Sequence, residues 1–254
     1  MARDTDGSQR RATGRCRGPV ARAAVALAVI TLCLTGCGVV NEAKAAVHDV
    51  EGNKATVDAF TSKVQNGEST TFSATYVTTG SAPATVTYAV QPPKELAFTD
   101  TPTGSAGPSL DLVVNPSGEF SCTPPSAGSG SPWSCVKLDA TTAAGQNQLF
   151  DVYTPSHWVS FLKGLALAAG IAGDHVTSST MTVNGFPLQC VDFVAPGVPG
   201  TSTICSTAQG ILGYVKVASD ATSFAITHYT TSPAASLFQT PPGADISASP
   251  SGTT

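Results

Sequence analysis

The 254-residue chain carries 17 acidic and 13 basic side chains, a formal net charge of −4, and few charged residues (12%) beside many hydrophobic ones (41%). All six arginines lie between Arg3 and Arg22, and from Cys37 onward seven lysines stand against fifteen acids. A surface with excess acid and no arginine repels phosphate backbones and lacks the bidentate guanidinium fork. This argues against nucleic acid and against electrostatic grip on anionic headgroups.

The arginine-rich start runs into the apolar stretch Ala23-Ala-Val-Ala-Leu-Ala-Val-Ile-Thr-Leu-Cys-Leu-Thr-Gly-Cys37. A charged flank, a short apolar run and small residues at the break form a secretory signal, and the run is short of the roughly 20 residues a membrane span needs. Its last four residues, Leu34-Thr35-Gly36-Cys37, resemble the lipobox of bacterial lipoproteins. The resemblance implies cleavage before Cys37, a diacylglyceryl group on its thiol and anchoring to the outer face of the cell membrane. The chain then divides into a signal peptide (1–36), a tether or frayed helix start (37–52), one domain (53–246) and a disordered Ser/Pro/Gly tail (247–254).

Of seven cysteines, Cys16 and Cys33 leave with the signal and Cys37 takes the lipid. Cys122, Cys135, Cys190 and Cys205 remain, an even set that reads as two disulfides in an exported protein. Three connectivities are open. Cys122–Cys135 with Cys190–Cys205 is favoured, because each pair closes a short Gly/Pro/Ser-rich excursion between strand-like runs. The spacings are not C-x-x-C and no histidine lies near in sequence, so no metal site is read.

Along the domain, Val47, Val50, Val57, Phe60 and Val64 fall on one helical stripe, with Gly52 weakening its middle, Asn53 placed to cap a restart and Asn66-Gly67 ending it. The period then changes to two. Phe72, Ala74 and Tyr76 alternate with polar residues, as do Val86, Tyr88 and Val90. Leu96-Ala97-Phe98, then Leu110, Leu112 and Val114, then Phe120 with Cys122 continue the pattern, separated by Gly/Pro turns. Such alternation predicts antiparallel strands with one buried face. Asp111, between Leu110 and Leu112, and Asp192 read as solvent-facing strand positions. Short strands are expected at Cys135–Leu138 and Gln148–Tyr153.

A helix opens at Thr154-Pro155, a cap followed by a residue suited to the first helical position, and carries the stripe Trp158, Phe161, Leu162, Leu165 and Ala169 with Lys163 as its one charge. A helix apolar nearly all round is buried on more than one side. Strand patterns resume through Val176–Asn184, Leu188–Val194, Ser202–Ser206, Ile211–Val217 and Phe224–Tyr229. Asn184-Gly185 is a hairpin signal and Ser219-Asp220 a turn.

Helix, long antiparallel meander, and the segments Val183-Asn-Gly-Phe-Pro187, Thr203-Ile-Cys205, Gly210-Ile-Leu-Gly-Tyr214 and Leu237-Phe-Gln-Thr-Pro-Pro-Gly-Ala244 together resemble the LolA-like lipoproteins of actinobacteria, the LppX and LprG type. The resemblance covers most of 53–246. It implies an α+β fold: a curved antiparallel β-sheet, or half-barrel, with an N-terminal helix and a mid-chain helix on its concave side. It also implies an apolar cavity holding acyl chains in transit, no catalytic residues and no cofactor. The expected lining is Phe72, Tyr76, Trp158, Phe161 and Leu165. Abundant Thr, Ala and Gly in the strands depart from the family pattern and bear on the size of that cavity.

The alternative reading is a protein-binding or sensory module of the envelope without a small ligand, and a hydrolase with an unrecognised site is a third. Ser160-Phe-Leu-Lys163 matches S-x-x-K, but the companion S-D-N and K-T-G elements are missing. His48, His157, His175 and His228 are scattered, with no i, i+4 pair and no H-E-x-x-H.

Overall fold

In the computed structural model the alternating segments become twelve strands and the striped segments become helices. The structure describes residues 37–80, 83–104, 109–126, 128–172, 175–194, 198–218 and 223–248, without the side chains of 37–49, 148–150 and 165–172. The signal at 1–36, the Ser219-Asp220 turn and residues 249–254 lie outside the described residues. Chain contacts separate 1–44 from 45–254. Of the first unit only the opening turns of helix α1 are described; the sheet and the other helices belong to the second.

Helix α1 (Cys37–Glu68) leads into strands β1 (Phe72–Thr78), β2 (Ala84–Gln91), β3 (Glu95–Pro102), β4 (Leu110–Asn115), β5 (Gly118–Thr123) and β6 (Ser134–Lys137). Helix α2 (Ala140–Phe150), a 3-10 turn (Asp151–Tyr153) and helix α3 (Pro155–Ala172) interrupt them. Strands β7 (Thr177–Val183), β8 (Phe186–Phe193), β9 (Ser202–Ser206), β10 (Leu212–Lys216) and β11 (Ser223–Thr230) follow. A second 3-10 turn (Ala235–Phe238) and β12 (Asp245–Ala248) end the domain.

Three segments differ from the expectation. Residues 37–52, read as a tether or a frayed helix start, are helical and run unbroken through Gly52 and Asn53. Their alanines favour helix, and Gly52 costs only about 1 kcal/mol. Asn53 therefore caps nothing. It is buried inside α1, and its Oδ1 accepts from the Val176 backbone N–H at 2.8 Å, tying the helix to the start of β7. Second, the strand expected at Gln148–Tyr153 is the end of α2 and the turn after it. Asp139 starts that helix, its Oδ1 accepting from the N–H groups of Thr141 (2.9 Å) and Thr142 (3.0 Å). Third, Ser247 and Ala248, expected in the tail, belong to β12.

The strands form one open sheet in the order β12-β6-β5-β4-β3-β2-β1-β11-β10-β9-β8-β7. All neighbours are antiparallel except β12 and β6. Two meanders thus meet where β1 lies beside β11. The sheet is curved. At one end the β7–β8 hairpin overshoots the β9–β10 turn, so that Asn184 Nδ2 donates to the Ile226 carbonyl of β11 at 2.8 Å and Phe186 packs on Tyr229 at 5.4 Å.

The two faces are covered differently. On the concave side Phe72, Tyr76, Tyr88, Phe98, Phe193 and Phe224 meet Val57, Phe60 and Val64 of α1 and Trp158, Val159 and Leu162 of α3. Full burial of each such side chain stabilises by about 1.5–3 kcal/mol. On the convex side, residues 231–244 run from the end of β11 across the sheet as a strap and deliver β12 to the edge of β6. Phe238 of the strap sits in a socket made by Ala89 and Ala97, where larger residues would leave it no room. Asn115 Nδ2 donates to the Phe238 carbonyl at 3.0 Å. Farther along, Ala244 and Trp133 pack on Phe120 and a disulfide.

That disulfide joins Cys122 to Cys135 and a second joins Cys190 to Cys205, the pairing favoured from the sequence. Each links residues directly opposite one another on neighbouring strands, β5–β6 and β8–β9.

Candidate functional site

The site read from the sequence is the concave face beneath the Trp-bearing helix. Pro155 starts α3 and the residue pattern turns Trp158, Val159 and Leu162 onto the sheet, where all three are buried. Trp158 Nε1 donates to the Val152 carbonyl at 2.6 Å, which fixes the indole against the 3-10 turn. Phe161 projects differently. It packs edge-on against Trp158 (5.7 Å) and Phe193 (5.9 Å) and stays 40% exposed. The Leu165 side chain lies outside the described residues.

Phe72 and Tyr76 occupy the floor of the concavity and are covered by the protein itself. Phe72 is 1% exposed and packs on Tyr88 at 5.9 Å. Tyr76 is fully buried, lies 5.3 Å from both Tyr153 and Phe224, and donates its hydroxyl to the Leu212 carbonyl at 3.1 Å. Tyr153, from the turn between α2 and α3, also stacks near Phe224 (5.0 Å), Phe98 (5.7 Å) and Tyr88 (6.4 Å). It acts as a plug at the centre of the concave face. Its sequence neighbourhood resembles a strand, which conceals this role. A useful signal lies in Asp139, whose cap marks the helix that delivers the plug.

Burial holds the hydroxyls of this cluster in their neutral form. Burial above all pushes the Tyr76 and Tyr88 phenols well above their usual range, the neighbouring Tyr88 and Tyr153 adding to the first and Asp151 and Glu68 to the second. Burial, with Asp100 nearby, pushes Tyr153 up to about 12. All three stay neutral at physiological pH, so the tyrosines at the centre of the concavity carry no charge.

Ser160 and Lys163 of the S-x-x-K match are both exposed on α3. Among the described residues no group of three or more His, Cys, Asp and Glu is placed to hold a metal ion. Asp192 is held by Ser179 and Thr203, whose hydroxyls donate to its two carboxyl oxygens. Asp111, expected to face solvent, is half-buried under the strap.

No family model matches the sequence, and no curated protein matches it. Among solved structures the chain is similar to MucB, with a TM-score of 0.45, 13% identity, and coverage of 74% of this chain and 64% of that one. It is also similar to the Pseudomonas aeruginosa MucA/MucB complex structure, with a TM-score of 0.42, 12% identity, and coverage of 73% and 61%. The chain thus spans less than two thirds of the length of these two structures. The fold stands on strand order and register: a large, open, curved antiparallel sheet with helices on its concave side.

Proposed function

We propose that this chain is an exported envelope lipoprotein, held to the outer membrane face by acyl chains on Cys37, that carries or shields an apolar ligand against α3. The observation that supports the reading is the surface of that helix. Its 18 residues hold a single charge, Lys163, and while Trp158, Val159 and Leu162 are buried in the sheet, Phe161 remains substantially exposed beside Phe193. With Tyr153 plugging the floor, this reading places the ligand against Phe161, the exposed ring on α3, and not against the buried Phe72, Tyr76 and Trp158. An acyl chain entering there gains about 0.8 kcal/mol per buried CH₂. The two disulfides fit an oxidising, extracytoplasmic compartment.

The test is mass spectrometry of solvent extracts from the folded chain with Cys37→Ser, purified from lipid-rich cells. Stoichiometric lipid, lost in Phe161→Glu, supports carriage; clean extracts from several preparations overturn it. A second reading, a protein-binding envelope module, is favoured by the filled centre of the concavity and by the outer strand β7, whose first four residues Thr177, Ser178, Ser179 and Thr180 are all exposed at the sheet edge. An exposed edge is a template for a partner strand. Clean lipid extracts together with a partner crosslinked to β7 would establish that reading instead.

A further inference from the structure

The sheet treats its two edges differently. At one, the strap crosses the convex face to lay β12 against β6. At the other, β7 has no strand on its outer side, and none of its seven residues is charged or a proline. Edges are ordinarily kept from pairing by charge, by proline or by a cover.

Strand register tells which backbone groups β7 offers. Asn184 and Gly185 both have positive φ, the form of a two-residue type I′ turn. Such a turn is closed by a hydrogen-bonded pair, here Val183 and Phe186, and bonded and non-bonded pairs alternate from there. Thr177, Ser179 and Met181 therefore spend their N–H and C=O groups on β8, whereas Ser178, Thr180 and Thr182 turn theirs outward. Pro187, which has no N–H, falls opposite Thr182, where none is needed. Val176 is the next outward residue upstream, and its N–H is taken by Asn53 of α1. Ser178, Thr180 and Thr182 are exposed, and among the described residues nothing is placed to pair with their outward backbone groups.

The edge also has a charged side. Thr180 stands opposite Gln189 and shares its face. An open groove of about 550 Å³ runs along this stretch, lined by Thr180, Met181 and Thr182 of β7 and by Pro187, Leu188 and Gln189 of β8. Lys63 of α1 donates to the Gln189 side-chain oxygen, and among the described residues no carboxylate pairs with it. A strand added to β7 would lie two strand spacings from β8, about 10 Å, with this exposed ammonium on the Thr180 face.

We propose that β7 is extended by an antiparallel strand of a partner protein that carries an acidic residue opposite Thr180 and an apolar residue opposite Met181. The proposal rests on the second reading above, a partner at the β7 edge, and names that partner's chemistry. The residue opposite Thr180 shares its face, so a glutamate there leans over Thr180 toward Gln189 and Lys63. The residue before it lies on the other face beside Met181, which packs on the Cys190–Cys205 disulfide. Main-chain hydrogen bonds to Ser178, Thr180 and Thr182 supply affinity, and these two side chains supply selection. A second copy of this chain fits less well. Pairing β7 with itself about Thr180 puts both Lys63 ammonium groups on one face of the joint with no carboxylate between them.

The experiment follows amide exchange and chemical shifts by NMR in the folded chain with Cys37→Ser. The probes are end-capped peptides Thr-Thr-Val-Glu-Thr-Thr and the same sequence with Lys or Gln in place of Glu. In the free chain the Ser178, Thr180 and Thr182 amides should exchange faster than those of Ser179 and Met181. The Glu peptide should slow them saturably and bind about fivefold more tightly than the Lys peptide at low ionic strength. Lys63→Glu, a change at an exposed side chain, should reverse that order. Equal binding of the three peptides, or an order unchanged in Lys63→Glu, overturns the acidic partner while leaving an edge that accepts strands without regard to charge. No protection by any peptide overturns the edge reading as well. Protection in the free chain that grows with protein concentration assigns the edge to a second copy and overturns the proposal.

Discussion

Gly67, in the last turn of α1, and Gly210, in the turn before β10, touch backbone to backbone. A Cβ on Gly67 would lie 2.5 Å from the Gly210 carbonyl oxygen, and one on Gly210 would lie 2.1 Å from the Lys63 carbonyl oxygen. Gly210 also has φ +80°, which side-chain-bearing residues avoid. Since both sides of the contact are main chain, neither can swing aside. Gly210→Ala is expected to cost more than Gly67→Ala, with the first at about 3 kcal/mol or more and both above about 1 kcal/mol. Urea unfolding of the two variants measures this; equal stability to wild type would show that α1 and the β10 turn separate freely.

Phe238→Ala is expected to cost about 3–5 kcal/mol, because the ring is buried against Ala89 and Ala97. The loss should fall first on the strap. Amide exchange in 231–248 should quicken by more than in β1, β2 or α1, reporting local release before global opening. Uniform acceleration across the chain would mean that strap and sheet open as one unit.

The three buried phenols set a basic limit to stability. Their folded-state pKa values lie above the usual 10, so the folded form keeps protons that the unfolded form sheds. Stability is therefore fully present below pH 10 and is lost as pH rises beyond it. The slope is up to about 1.4 kcal/mol per pH unit for each tyrosine. Melting temperature should fall steeply between about pH 10 and 12, and Tyr88→Phe should make the fall shallower while leaving values near pH 8 little changed. An unchanged slope in that variant would place the titrating group elsewhere.

Replacing Cys190 and Cys205 by alanine, or Cys122 and Cys135, opens loops of 15 and 13 residues. Each loss should lower stability by about 3 kcal/mol on the chain-entropy account. The two should differ in where they act. Loss of Cys122–Cys135 removes the support of Trp133 and Ala244 and should loosen β12 as Phe238→Ala does. Loss of Cys190–Cys205 should leave the strap protected.

The strands were readable because one face of each meets helices: Phe72, Ala74 and Tyr76 alternate with residues that do not, and Tyr88 and Phe98 repeat the pattern. Alternation assigns a face but does not say what covers it, which is why Asp111 read as exposed when the strap lies over it. The strap itself left little trace, since Leu237-Phe238 is too short a run to show a period or say which of the two is buried, and the Phe238 socket, Ala89 and Ala97, lies far back in the chain. Helix α2 was missed for a related reason. Ala143 is its one buried apolar residue among those described, so no stripe marks it and only its cap does. Without α2, the position of Tyr153 at the centre of the concave face could not be inferred, and the space it fills read as room for a ligand.

The adjacency of β1 and β11 has a bearing on how the chain is made. Thr75 and Thr227, joined across that seam, stand 152 residues apart. A ribosome therefore finishes the first strand long before it starts the one that completes its ladder. Until then one flank of β1 presents unsatisfied backbone groups in the middle of what will become the sheet. Contacts of such long range close slowly, and an open flank of this kind invites pairing with other nascent chains. Fragments ending before residue 223 should accordingly accumulate as aggregates, whereas a chain kept unfolded until its last strand is available escapes that fate.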